Sequence, residues 1–397
     1  MKKLTDFFYA AALALAGCCA FSSCSDDEEE VLKSWNLTIN LNCLDDMAFD
    51  NLSDLQVILS NGNGFADTLQ MDGSSTSVTV SQGQYNLVAS GKVMDEAAAY
   101  ASGTASVDVY ADAVVSVNLN KVIESPIIFK AIYSTGGKSG YVVDQYFEIV
   151  NNSDEVQYLD QLILSSPTGK QSQPNAWQAN GYTDIYECGQ GVVIAFPGTG
   201  TDYPLQPGES IVLANDATNH SEAAGEGNNC PDLSNADWEV YISNVSAEAD
   251  YPAPNVEVIF QNNAYMRAFG LGFFGRGYII ARCPEGMTPQ EFAANSDNIM
   301  TTPGTTSTTE YLMIPSQYVL DAVDIWEADA TEHYGTFLAK DDAEGVLASE
   351  AWTGKCVRRK VSRIENGRVY YQDTNNSAND FLTGQDLTPG ETPTAVD

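Results

Sequence analysis

The stretch AFGLGFFGRGYII, residues 268–280, decides the fold. It carries Gly270-x-Gly272-x-x-Gly275, the spacing of a dinucleotide-binding loop. Such a loop follows a strand, opens a helix and sits inside a βαβ unit. Here Gly277 leads into Tyr278-Ile279-Ile280-Ala281-Arg282, which reads as a strand, and the next helix signal waits until Pro289. The glycines therefore read as a Gly-rich strand or bulge entering a sandwich strand, where they permit close backbone approach. An all-β chain is expected.

Upstream, apolar residues alternate. WNLTINLNC places Trp35, Leu37, Ile39 and Leu41 on one face, with Cys43 in phase, and LQVILS does the same with Leu55, Val57 and Leu59. SVTV, QYNLVAS, ASVDVYA and VVSVNLN follow, separated by turns rich in Gly, Asn and Ser. Period two at this spacing predicts a small antiparallel sandwich over 34–122. A helical patch at MDEAAAYA, 94–101, is expected to bridge two of its strands, and ESP at 124–126 marks a joint. A second sandwich is expected over 127–383, carrying insertions at roughly 165–205 and 215–310. Inside it, Thr288-Pro289-Gln290-Glu291 is a capping box with Pro at the first helical position. The Thr- and Pro-rich end, 384–397, is expected to be disordered.

Three resemblances bear on these domains. VTVSQGQYNLVASG (78–91) resembles the carboxypeptidase-regulatory or transthyretin-like modules of Bacteroidota surface proteins, in which a Gly turn precedes a Tyr-x-Leu-x-Ala strand. The second domain resembles a lamin-tail domain, an immunoglobulin-like sandwich. The matching residues are Ile128 to Tyr133, Gln145 to Ile149, the Asn151-Asn152-Ser153 turn, Tyr158 to Leu164, PLQPGESIVLAND, and Arg358 and Arg359 leading to Asn375, Asn376, Asp380 and Phe381. Lys130 departs from that pattern, which has an acidic residue there, and the domain is about twice a minimal one. The order of these blocks is also similar to a family of Bacteroidota lipoproteins, the domain-of-unknown-function 4876 family. The resemblances imply two consecutive antiparallel β-sandwich, immunoglobulin-like domains, the second enlarged by loop insertions and a short helix.

The first 33 residues speak to location. Lys2 and Lys3 precede an apolar run from Phe7 to Phe21, the layout of a secretory signal. LAGC, ending at Cys18, and FSSC, ending at Cys24, both have the form of a lipobox. Cys24 is followed by SDDEEE, which resembles the acidic export signal of Bacteroidota surface lipoproteins. Lipidation is expected at Cys24, with Cys18 as the alternative. This makes 1–23 a signal peptide and 24–33 an acidic tether. The expected location is the outer membrane, lipid-anchored and exposed at the cell surface.

Composition narrows the partners. The 397 residues include 54 acidic and 18 basic side chains, a net charge of −36. Such a chain repels phosphate backbones, so no nucleic-acid partner is expected. Beyond the signal and Cys24, the cysteines are Cys43, Cys188, Cys230, Cys283 and Cys356. Export permits disulfides. Cys43 reads as a small core residue; Cys188 in YECGQ and Cys230 in NNCPD read as loop-borne and are the expected pair, although the four remaining cysteines allow three pairings.

The chemical motifs are weak. His220 and His333 are the two histidines, each in a polar segment that reads as a solvated loop, and neither accompanies a Gly-x-Ser-x-Gly elbow. STGGKSG (134–140) ends like a phosphate loop, but Ile132 stands where its first glycine belongs. DTNNSAND (373–380) alternates oxygen ligands but lacks the Gly and Glu of a calcium loop. No catalytic, cofactor or metal site is assigned. Trp177, Tyr182 and Tyr186 lie in an inserted polar segment and are the candidate ligand-binding aromatics. Two functions follow. One is a non-enzymatic surface module that binds a nutrient, a glycan or an outer-membrane transporter. The alternative is a secreted hydrolase with an unmarked Asp/Glu site.

Overall fold

The computed structural model describes residues 33–44, 47–61, 65–94, 99–167, 176–182, 184–189, 191–246, 248–263, 265, 269–272, 275–328 and 333–397. Cys18, Cys24 and the tether up to residue 32 lie outside the described residues.

The first domain contains strands β1 (Ser34–Cys43), β2 (Leu52–Ser60), β3 (Ala66–Gln70), β4 (Ser75–Ser81), β5 (Gly83–Val93), β6 (Ala99–Val109) and β7 (Ala113–Ile123). They hydrogen-bond in the order β3-β2-β5-β6-β7-β1-β4. β6 and β7 pair only over 99–102 against 120–123 and then part, so the sheet folds over on itself into two layers. The alternation read from the sequence is what fills the space between them. Leu37, Ile39 and Leu41 of β1 meet Val57 and Leu59 of β2, Tyr85 and Leu87 of β5, and Val117 and Leu119 of β7. Each such buried aliphatic side chain contributes about 1.5–3 kcal/mol. Two expectations need correction. β1 and β7 run parallel, Leu37 opposite Ala113 through Cys43 opposite Leu119, so the sandwich is not wholly antiparallel. Residues 95–98 of the expected helical patch are outside the described residues, and Ala99 to Ala101 are strand, with both alanines buried.

In the second domain two six-stranded sheets face each other. The first runs Trp238–Glu239, Ser210–Ala214, Tyr146–Asn151, Ile127–Tyr133, Lys355–Arg359, Phe381–Asp386. The second runs Glu257–Gln261, Val192–Ala195, Leu162–Ser165, Gly275–Arg282, Val319–Trp326, Val346–Leu347. Phe129, Ile132, Phe147 and Ile149 from one sheet pack on Leu164, Ile194, Tyr278, Ile280 and Val323 from the other. The second sheet is covered on its outer face as well. Strands Ile185–Cys188, Glu310–Pro315 and Ile299–Thr301, with the helix Pro289–Ala294, enclose Ile163, Val193, Ile279 and Ala281. This is why GYIIA is an unbroken apolar run: Tyr278 and Ile280 face one core, Ile279 and Ala281 the other. The helix is capped as its sequence requires, with Glu291 N–H donating to Thr288 Oγ1 at 3.2 Å and Thr288 N–H to Glu291 Oε2 at 2.9 Å.

Two further expectations are overturned in this domain. Cys188 and Cys230 are both free. Cys188 is buried in the layer outside the second sheet and Cys230 is buried beside Asp144, so the expected disulfide is not formed. The end of the chain is also not loose. The strand Phe381–Asp386 carries it past residue 384, Lys130 Nζ donates to Glu391 O at 2.7 Å, and Asp397 pairs with Arg358.

Candidate ligand-binding cleft

A cavity of about 820 Å³ lies where the two domains meet. Tyr100 at the start of β6 and Glu124 just after β7 line it from one side. Asn152, Arg363, Tyr370 and Gln372 line it from the other.

Each wall residue is placed by a readable local structure. Arg363 and Tyr370 come from a hairpin, Val361–Glu365 and Arg368–Tyr371. Its turn is Asn366-Gly367, with φ of 53° and 83°, the left-handed pair that an Asn-Gly turn supplies to a right-twisted ribbon. Arg363, across the hairpin, lies 3.7 Å and Arg368, on the same strand, 4.2 Å from the Tyr370 ring centroid. The Tyr370 hydroxyl donates to Asp154 Oδ1 at 3.1 Å. The cleft therefore offers guanidinium, amide and hydroxyl groups more than a bare aromatic face. Asn152 is fixed by two bonds to Tyr371, accepting from its N–H at 2.9 Å and donating to its carbonyl at 3.0 Å.

Beneath the floor is a buried charge network. Arg359, 1% exposed, forks onto Asp321 at 2.8 and 2.7 Å. It also donates to Asp373 Oδ1 at 3.0 Å, to the carbonyls of Phe129 and Gln372, and stacks on Phe381 at 4.6 Å. Asp373 in turn accepts the N–H of Ser125 at 2.9 Å, which ties the inter-domain joint to the second domain. Asp380 accepts from Thr374 N–H and Oγ1, both at 2.7 Å, and from Gln372 at 3.2 Å. Burial raises Arg359's cost of charge, yet its three carboxylate neighbours hold it ionised. Burial and the charge of Asp373 push the Asp321 and Asp380 carboxyls up against the pull of Arg359, Asp380 to about 6. The oxygens of DTNNSAND are thus occupied by the protein itself.

Glu124 is the most perturbed carboxyl of the cleft wall. Burial pushes it up to about 7, and the charges of Asp373 and Asp380 add to the rise, against a bond from Tyr100 and the charge of Arg363. A carboxyl raised on folding stabilises below its unfolded value of about 4.5 and loses that contribution as pH climbs through about 7. The chain is therefore expected to lose stability between pH 5 and pH 8. Glu124→Gln is expected to shrink that loss without abolishing it, because Asp321 and Asp380 titrate in the same window. Urea midpoints of both proteins at the two pH values check this. An unchanged pH difference would remove Glu124 from the account.

The sequence-derived candidates fall elsewhere. Trp177 is 3% exposed and packs edge-on against Tyr182 at 5.7 Å and Tyr311 at 6.1 Å. Tyr186 is buried, donating to Asp341 Oδ2 at 2.5 Å and accepting from Leu338 N–H at 3.0 Å. These aromatics pack the layer outside the second sheet, with Trp177 and Tyr186 buried, and none of the three lines the cleft. His220 is fully buried rather than solvated. Its Nδ1 meets the Tyr141 hydroxyl at 2.7 Å and its Nε2 the Asp216 carbonyl at 2.8 Å, which uses both ring nitrogens. His333 stacks on Trp326 at 4.8 Å and bonds to the Glu327 carbonyl. Gly137 of STGGKSG donates its N–H to Asp144 Oδ2 at 2.9 Å, a structural contact. The cleft residues were missed because they come from four distant segments. One signal was available: six of the 18 basic residues fall in KCVRRKVSRIENGR, 355–368, of an otherwise acidic chain.

Fold and cleft together define an all-β protein of two sandwich domains with a polar cavity between them. A family model, described as a protein of unknown function (DUF4876), matches residues 206–388, which includes the Arg359 network and the hairpin. A crystal structure of a DUF4876 family protein from Bacteroides thetaiotaomicron is similar, at 26% identity and a TM-score of 0.60, covering 91% of this chain and 99% of that one. A DUF3823 family protein from Parabacteroides merdae aligns over 35% of this chain and 68% of its own, at 10% identity and a TM-score of 0.18. None of the curated proteins matches.

Proposed function

We propose that this chain is a surface lipoprotein of the outer membrane, anchored through Cys24, that binds a glycan in the cleft between its domains. The observation that carries the binding reading is the wall itself. About 820 Å³ of cavity is edged by hydroxyl, amide and guanidinium groups, several held rigid by buried bonds. A concave site with preplaced polar groups suits a polyhydroxylated ligand. The anchor rests on FSSC followed by SDDEEE, and the lamin-tail-like and transthyretin-like resemblances fit a non-enzymatic module displayed at a surface. Lipid chains on one cysteine hold firmly when several act together. An outer-membrane transporter would be the receiving partner.

Protease added to intact cells is expected to remove the protein, and titration calorimetry of the purified chain against oligosaccharides is expected to give binding that Gln372→Ala weakens. Protection from the protease would sink the surface assignment. Failure of every oligosaccharide to bind would sink the glycan.

One observation favours a hydrolase instead. Glu124 is a carboxyl that burial pushes up to about 7 inside a cleft, the direction a general acid needs. Turnover of a glycoside that Glu124→Gln abolishes would replace the binding reading with this one.

A further inference from the structure

Asp397 lines the cleft and also a second cavity of about 240 Å³ under the chain end. Its carboxylate receives three N–H bonds. Arg358 Nη1 donates to Oδ2 at 2.9 Å and Nη2 to Oδ1 at 2.8 Å, while Val361 N–H donates to Oδ2 at 2.8 Å. A planar fork plus a backbone donor is the arrangement that recognises a carboxylate. The donors belong to the strands Lys355–Arg359 and Val361–Glu365, so they are held in place whether or not Asp397 is there. Its partner is held less firmly. Glu391 is pinned by Lys130, and Asp397 N–H reaches Val361 O at 3.2 Å. Among the described residues, Thr392 to Val396 make no hydrogen bond to the body, and Val396 is 54% exposed. The carboxylate contact is a latch at the rim of the cleft.

We propose that Arg358, which lines the second cavity, and the Val361 N–H, which lies in the cleft, form a carboxylate subsite at the cleft's rim, occupied by Asp397 in the free protein, and that the ligand is a uronic-acid glycan whose carboxylate displaces it. This rests on the glycan-binding reading and names the glycan's class. The neighbouring charges select a carboxylate over a phosphate. Asp54, Glu124 and Asp154 also line the cleft, and the chain carries −36 overall, so a second negative charge at the same spot is repelled. The tether sets the threshold. A carboxylate tethered on the same chain is present at an effective concentration on the order of millimolar, so a lone uronate competes poorly. An oligomer that also bonds to Gln372, Lys360 and Asn379 in the cleft competes well.

The test compares the full chain, purified in detergent, with its Asp397→Asn and Arg358→Met variants, using trigalacturonate and galactotriose as probes. Calorimetry reads affinity and hydrogen exchange reads the end of the tail at the Asp397 N–H, which is bonded to Val361 O in the free protein. Trigalacturonate is expected to speed tail exchange in the unaltered chain, and Asp397→Asn to bind it about tenfold tighter, because the internal competitor is weakened. Arg358→Met is expected to lose that binding. Galactotriose is expected to leave the tail protected in all three. Equal affinity of Asp397→Asn and the unaltered chain for trigalacturonate overturns the subsite. So does galactotriose binding as tightly as trigalacturonate with the tail still protected, and in that case the glycan reading survives. Tail release by trigalacturonate that Gln372→Ala does not weaken supports the subsite while removing the cleft wall from recognition.

Discussion

Arg359→Met is expected to cost about 3–5 kcal/mol, enough to unfold the second domain or bring its denaturation midpoint close to zero denaturant. The size follows from what is left behind. Arg359 is the cation facing Asp321, Asp373 and Asp380, and all four side chains are 3% exposed or less. Methionine fills much of the volume but leaves carboxylates buried without a counter-charge. It also strips donors from the carbonyls of Phe129 and Gln372. Exposed pairs give the contrast. Lys92 and Asp54 meet at 3.1 Å with both side chains more than half exposed, and Lys92→Ala is expected to change stability by about 0–1 kcal/mol. The pH dependence separates lost charge from lost packing. Without the guanidinium the folded carboxyls rise further, so their contribution is present at low pH and lost as pH rises through their folded values. Arg359→Met should therefore recover part of its deficit between pH 8 and pH 5. Arg359→Lys keeps the charge but not the fork, and should fall between the two. Urea unfolding at both pH values reads all three. A deficit for Arg359→Met that is the same at pH 5 as at pH 8 would mean that packing, not charge, sets it.

How much of this was legible depends on which face of each strand meets water. β1 alternates because one face is solvated, and its inward residues Leu37, Ile39 and Leu41 were readable from period two alone. The strand Ile127–Tyr133 is buried throughout, so IIFKAIY shows no alternation and its one charge looks out of place. Lys130 is explained by Glu148 on the neighbouring strand, 2.5 Å away and equally buried, a partner set by register. His220 misled for a related reason. Its segment NDATNHSEAAG is polar, but it closes over Tyr141, which lies 79 residues earlier. The chain end misled as well, because Thr- and Pro-rich composition says nothing about the Arg358 fork that receives Asp397. The cleft is the extreme case. Its walls combine β6, the joint and a hairpin more than 230 residues later, so no local pattern marks it.

Gly270→Ala is expected to destabilise the second domain by about 2–5 kcal/mol. Two costs combine. Gly270 has φ of 77°, where an L side chain costs about 1–2 kcal/mol. A Cβ there would also stand 2.2 Å from Cζ of Phe147, and overpacking a dense core costs about 1–3 kcal/mol. Phe147 cannot give way cheaply. Its ring is wedged among Phe129 at 6.1 Å, Phe269 at 5.4 Å and Tyr278 at 5.3 Å, and the Tyr278 hydroxyl is bonded to Gly270 O at 2.6 Å. Glycine at 270 thus lets the chain turn under an aromatic cluster before it enters the strand Gly275–Arg282, and the dinucleotide-like spacing is a by-product of that packing. The two costs can be separated by a double-mutant cycle. Phe147→Leu alone should destabilise through lost volume. In combination with Gly270→Ala the clash is relieved while the backbone strain stays, so the pair should cost less than the sum by about the overpacking share. Denaturant midpoints of the four proteins measure the coupling. Strict additivity would place the whole cost of Gly270→Ala in the backbone and none of it in the ring of Phe147.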